Sequence, residues 1–97
     1  MYTLLNNMES SKLDLYLPGR LVASLHYRFT TDEMWFVYCE SIDDDSPDSH
    51  RREVLRRGLE EAHSRRMRVR VLCTISQRLL TGTSAGTEPI VIDPGKL

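Results

Sequence analysis

Thiols, imidazoles and a run of carboxylates are the side chains in this sequence with chemistry to offer. Cys39 and Cys73 are its two cysteines. A thiolate is a nucleophile and a metal ligand, but neither residue belongs to a Cys-x-x-Cys pair or to a Cys/His spacing of the kind that holds zinc. Both fall inside apolar strand patterns, so the residues alone read as two packed thiols, and no disulfide is expected. Asp43, Asp44, Asp45 and Asp48 with His50 put several oxygen ligands and an imidazole on one short segment, as a hard cation would require. The segment has neither the glycine at the sixth place nor the glutamate at the twelfth place of an EF-hand loop. A turn followed by a helix cap accounts for the same residues, and no metal site is expected. His26 and His63 have no cysteine or serine nucleophile motif beside them, and no G-x-S-x-G occurs. Triads assemble from distant segments, so catalysis needs no such motif.

The acids stand directly before a basic stretch holding Arg51, Arg52, Arg56, Arg57, Arg65 and Arg66. Nucleic acid would favour a clear basic excess, whereas the formal net charge here is -1. Glu53, Glu60 and Glu61 lie three or four residues from Arg56, Arg57 and Arg65, the spacing of ion pairs along one helix. The pattern therefore reads as a salt-bridged surface, and no nucleic-acid partner is expected.

These residues must be positioned by few elements, because 97 residues fit one core. A hydrophobic share of 40% and a charged share of 28% are those of a globular chain. No apolar run nears the roughly 20 residues of a membrane span, and the first residues lack the layout of a signal peptide. No membrane partner and a cytoplasmic location are the expectations.

Tyr2 to Leu5 is apolar and leaves open an edge strand or a frayed end. Leu13, Leu15 and Leu17 alternate with Asp14 and Tyr16, a strand with one buried side. Pro18-Gly19 marks a turn, after which Leu21 to Phe29 resumes the period of two. Thr30 to Glu33 is a second turn, and Met34 to Ser41 is rich in β-formers, with Trp35 and Phe36 on opposite faces. Ser46-Pro47-Asp48 matches a helix start, with serine as cap, proline in the first turn and an acid at the positive end of the dipole. The helix is expected to run to about Arg66, with Val54, Leu55, Leu59, Ala62 and Met67 as its apolar stripe. Arg68 to Cys73 alternates again and returns the chain to the sheet. Ile75 to Leu80 reads as a short helical turn, residues 81–87 as a Gly/Ser/Thr linker and Pro89 to Ile92 as a last strand. The expected fold is α/β (α+β): a three-stranded antiparallel meander, a helix and a returning strand. It forms one domain over residues 1–97, with its core at about 12–80.

Gly19 to Arg28, a glycine, a charged residue and then an apolar run ending in Tyr27-Arg28, resembles the second strand of the small single-domain branch of the GNAT superfamily of N-acetyltransferases. Glu60-Glu61-Ala62 with Arg65 and Arg66, followed by Val69-Arg70-Val71-Leu72-Cys73, is similar to that branch's central helix and the strand leading to a cysteine. The resemblance spans Gly19 to Leu80 and implies a GNAT-like domain that binds acetyl-CoA or another acyl-CoA. It also assigns roles. Cys39 falls on or next to the family's histidine near the end of the third strand, Glu40 is adjacent, and Cys73 matches the family's cysteine. These three are the implied catalytic residues, the thiols as proton carriers or acyl acceptors if their pKa is lowered.

The implied cofactor residues are Ser49, His50, Arg51 and Arg52, at the start of the helix. There the family carries a Gln/Arg-x-x-Gly-x-Gly/Ala loop whose amides approach the pyrophosphate. This chain has Ser46-Pro47-Asp48-Ser49-His50-Arg51-Arg52 instead, with no glycine. At an effective dielectric near 20, each nearby acid would cost a bound phosphate about 1–4 kcal/mol. Arginine and histidine side chains would have to bind phosphate instead; the alternative is a solvated helix face. The competing function on the same scaffold is a non-catalytic module that binds a protein partner or a second copy of itself.

Overall fold

The computed structural model describes residues 1–43, 45–82 and 88–96. Asp44 and residues 83–87 of the expected linker lie outside them. The described residues form a small α+β domain, with six strands in one mixed sheet and two α-helices.

Strands β1 (Thr3–Asn7), β2 (Lys12–Leu17), β3 (Arg20–Phe29) and β4 (Glu33–Ser41) are antiparallel neighbours in chain order. The apolar opening residues thus form an edge strand, and the antiparallel part of the sheet has four strands, one more than expected. Gly19 closes the β2–β3 turn at φ 79°, the positive angle that a type II turn demands. Thr30 closes the next hairpin. Its amide donates to the Glu33 carbonyl at 2.9 Å, and the Glu33 amide donates to its hydroxyl at 3.1 Å.

Helix α1 (Pro47–Ser64) then crosses to β5 (Arg68–Val71), which lies parallel to β4. Helix α2 (Thr74–Thr81) follows, and β6 (Ile90–Ile92) returns antiparallel to β5. The expected helical turn is thus a helix of its own. It shortens the returning strand, which ends at Val71, two residues before Cys73.

Cross-strand register sorts the sheet into two faces. Leu4, Leu15 and Ala23 share one with Leu13, Leu25 and Cys39, and α1 covers that face with Val54, Leu55 and Ala62 fully buried. Gly58 sets the distance. A methyl group there would lie 2.6 Å from Leu25 Cδ2 and 2.8 Å from Phe36 Cζ, so only glycine admits the helix this close to the sheet. Glycine inside a helix costs about 0.5–1 kcal/mol relative to alanine, which the tight packing offsets. The opposite face carries Leu5, Tyr38 and Val91, each about half exposed, the wet side usual for an antiparallel sheet.

The two ends of α1 differ. Its C-terminus is a Schellman closure, with Arg66 N–H on His63 O at 3.0 Å and Met67 N–H on Ala62 O at 2.9 Å, the two bonds that define the motif. At the N-terminus Ser46 occupies the cap position as expected, but in the left-handed region (φ 58°) and with no side-chain bond to the helix. An extended backbone is what lets a serine hydroxyl reach the first free amides; Ser46 does not have it.

Candidate functional site

Strands β4 and β5 pair from Glu33↔Arg68 to Phe36↔Val71, with a last bond from Leu72 N–H to Phe36 O at 3.0 Å. There they part. β4 continues to Ser41, whereas the chain after β5 turns into α2. A bulge marks the same place from the other side: Tyr27 faces Phe36 and His26 faces Tyr38, leaving Val37 unopposed. Extra residues of this kind locally break the ladder and bend the strand.

Cys39 from β4, Cys73 and Ser76 from the start of α2, and Arg51 from α1 meet at this divergence. Arg51 Nε donates to the Cys39 carbonyl at 3.3 Å, and Cys39 Sγ approaches the Arg51 carbonyl at 4.0 Å. Helix α1 is thereby fastened to the part of β4 that β5 has left. Gln77, fully buried, donates from Nε2 to the carbonyls of Val71 at 3.1 Å and Glu88 at 2.8 Å, tying α2 to the end of β5.

The two thiols are in opposite electrostatic conditions. Burial pushes Cys39 up to about 12, against a smaller downward pull from Arg51. Partial burial also pushes Cys73 up, but the amide of Ser76, the amide of Cys39, the Ser76 hydroxyl and the amide of Ile75 outweigh it, and the net shift is downward. Cys73 is the N-cap residue of α2. Amides at a helix start present partial positive charge, the environment that lowers thiol pKa values. Ser76 Oγ is fully buried and has no hydrogen-bond partner among the described residues, although it stands beside both thiols. An orphaned buried hydroxyl of this kind is uncommon in a folded protein.

The four residues grouped by sequence at the start of α1 separate in the fold. Ser49 and Arg52 are exposed. Arg51 turns onto Cys39. His50 is buried, its Nδ1 2.9 Å from Tyr2 Oη and its Nε2 3.6 Å from Asp43 Oδ2. The acids of the preceding loop are compensated by residues distant in sequence. Asp43 faces Arg20 at 3.1 Å, and Asp48 lies 3.8 Å from Arg51 and 4.0 Å from Arg78. Among the described residues no three His, Cys, Asp or Glu side chains cluster to hold a metal ion. No helix among them is long and apolar enough to cross a membrane.

Of the three implied catalytic residues, Cys39 and Cys73 come together. Glu40 points to the other face of the sheet, where its carboxylate meets His26 Nε2 at 3.3 Å. Sequence reasoning missed Ser76, Arg20 and Arg78, and the pairing of His26 with Glu40. For Ser76 a signal existed: a helix beginning at Thr74 makes Cys73 its cap. Arg20 and Arg78 carry no local signal, since their acids lie 23 and 30 positions away.

No family model, curated protein or solved structure matches this chain. The functional reading therefore stands on the geometry of the divergence and on the motifs that resemble acetyltransferases.

Proposed function

We propose that this chain is an acetyltransferase-like protein that binds acetyl-CoA or another acyl-CoA, and that Cys73 receives the acyl group. The observation that carries this reading is the position of the Cys73 thiol. It lies where β4 and β5 part, at the N-cap position of α2, where the nearby amides hold its pKa below the ordinary value, with the buried Ser76 hydroxyl beside it. A thiol held toward its thiolate form attacks the thioester carbonyl. The new bond joins the acyl carbon to Cys73 Sγ, the old bond to the CoA sulfur breaks, and CoA leaves as a thiolate that takes up a proton. The amides of α2 that favour the Cys73 thiolate are also suited to a carbonyl oxygen on which negative charge develops. Cys39, held neutral by burial, packs the wall of this site and does not compete as a nucleophile. Glu40 meets His26 on the other face of the sheet and has no part in this step.

The phosphates of the cofactor would lie at the start of α1. Ser49 and Arg52 are exposed there, Arg51 and Arg78 flank Asp48, and Ser46 makes no side-chain bond to the first helical amides. Guanidinium groups, which bind phosphate in a fork, take the place of the glycine-rich loop. His50, turned inward onto Tyr2 and Asp43, shapes this terminus from below. Calorimetric titration with CoA and acetyl-CoA tests the assignment. Saturable binding that weakens in Arg52→Gln and Arg78→Gln is the expected result; no heat at millimolar ligand removes it.

The competing reading, a non-catalytic interaction module, is favoured by the half-exposed Leu5, Tyr38 and Val91 on the sheet face away from α1. Sedimentation velocity separates the two. Self-association abolished by Tyr38→Ser, together with a silent CoA titration, would select the module.

A further inference from the structure

The turn between β1 and β2, the end of β3 and the bulge of β4 border an open surface cavity of about 330 Å³, lined by Ser10, Ser11, His26, Tyr27, Arg28 and Val37. By register, His26 and Arg28 project from the sheet face opposite α1, so this cavity is separate from the Cys73 divergence. Its size falls at the lower end of the range for small-molecule sites.

Its polar groups have one sign of chemistry. Arg28 is exposed and has no carboxylate within ion-pair distance among the described residues, unlike Arg56, Arg57, Arg65 and Arg70, each of which faces a glutamate at 3.0 Å or less. The Ser10 and Ser11 hydroxyls have no hydrogen-bond partner among the described residues, and Ser11 is held at φ 53°. No acid lines the cavity. The acids on this face are each paired: Asp14 with the Ser24 hydroxyl at 2.6 Å, Glu33 with Arg70, and Glu40 with Nε2 of the lining His26 at 3.3 Å. Glu9, next to Ser10 in the turn, is exposed and does not line the cavity. With its Nε2 on Glu40, His26 has Nδ1 left to offer. Val37, the bulged residue with no cross-strand partner, supplies an apolar wall.

We propose that this cavity is a binding site for a small oxyanion, a carboxylate or a phosphate monoester carrying at most a short apolar tail. The Arg28 guanidinium takes the charge in a bidentate contact, the two serine hydroxyls donate to the remaining oxygens, and Val37 covers the tail. The site is independent of the acyl-CoA reading, and the two fail separately because they move different amides.

The test is titration of ¹⁵N-labelled protein with inorganic phosphate, methyl phosphate and butyrate. The amides of Ser10, Ser11, His26, Arg28 and Val37 should shift together and saturate in the low millimolar range, about 10 mM or below. Arg28→Gln should weaken binding about tenfold, the usual loss for a charge-assisted hydrogen bond. Arg66→Gln, which removes another exposed arginine without an acid partner among the described residues, should leave it unchanged. A preference for butyrate identifies the carboxylate source; a preference for methyl phosphate identifies the phosphate source. Shifts that fail to saturate by about 50 mM, or equal affinity in Arg28→Gln and the wild-type chain, overturn the proposal.

Discussion

The two ends of the β4–β5 pair solve the same problem differently. Where the strands hold register, Glu33 is buried and its carboxylate is fully engaged, taking Arg70 Nε at 3.0 Å, Arg70 Nη2 at 3.1 Å and Trp35 Nε1 at 3.2 Å. Where the strands part, Ser76 Oγ is buried with no hydrogen-bond partner among the described residues, and the Cys73 thiol, at the N-cap of α2, makes no side-chain bond to the helix. A buried polar group left unsatisfied costs about 1–3 kcal/mol. The paired end is built for stability. The open end carries an uncompensated cost, and such costs concentrate at sites of function.

The largest expected effect lies at the paired end. Phe36 is fully buried against Gly58, at the last matched position of the two strands. Phe36→Ala should lose about 3–5 kcal/mol in denaturant unfolding; a loss under about 1 kcal/mol would show that the α1–sheet contact is not the core. At the open end the thiols should differ in rate. With iodoacetamide near neutral pH, Cys73 should react at least about 100-fold faster than Cys39, read by peptide mapping. Equal rates would erase the distinction between them.

Acid sharpens the comparison next. The Arg70 hydrogen bonds hold the Glu33 carboxyl below its ordinary value, with burial opposing and Trp35 assisting. Its folded pKa is thus lower than its unfolded one. The stabilisation is complete above the unfolded value of about 4.3 and is lost as pH falls through the folded value. Glu33→Gln should therefore flatten the acid limb of a melting-temperature profile, and an unchanged limb would mean that Glu33 and Arg70 do not couple. The smallest effect is expected of Ser76→Ala. Stability should not fall, because the hydroxyl has no bond to lose and its burial cost goes with it, while Cys73 alkylation slows severalfold. A large loss of stability would reveal a partner for that hydroxyl.

Much of the scaffold was legible because it follows from period and punctuation. The alternation around Leu13 and Leu25, the glycine at the β2–β3 turn and the Ser46-Pro47 start of α1 each have one physical reading. β1 was ambiguous because five residues with little alternation do not separate an edge strand from a frayed end. α2 is hard to read because Thr74-Ile75-Ser76-Gln77 has no strong cap signal of its own, and the alternation of Val69, Val71 and Cys73 carries the strand pattern on through Cys73. That single boundary changes what the residues alone say of Cys73: inside a strand a cysteine is packing, and at a helix cap it is a candidate nucleophile, the role that the resemblance implies. The charge compensation of the acid-rich loop is illegible for the complementary reason. Arg20 and Arg78, which face Asp43 and Asp48, come from β3 and α2, and no local pattern connects them.

The most direct test of the account is to incubate the protein with acetyl-CoA, then digest it and locate the acetyl group by mass spectrometry. The predicted result is one hydroxylamine-labile acetyl thioester on Cys73, absent in Cys73→Ser and unaffected by Cys39→Ser. No thioester on Cys73, or acetyl groups spread over Lys12, Lys96 and the N-terminal amine at the rate of free amines, would contradict it.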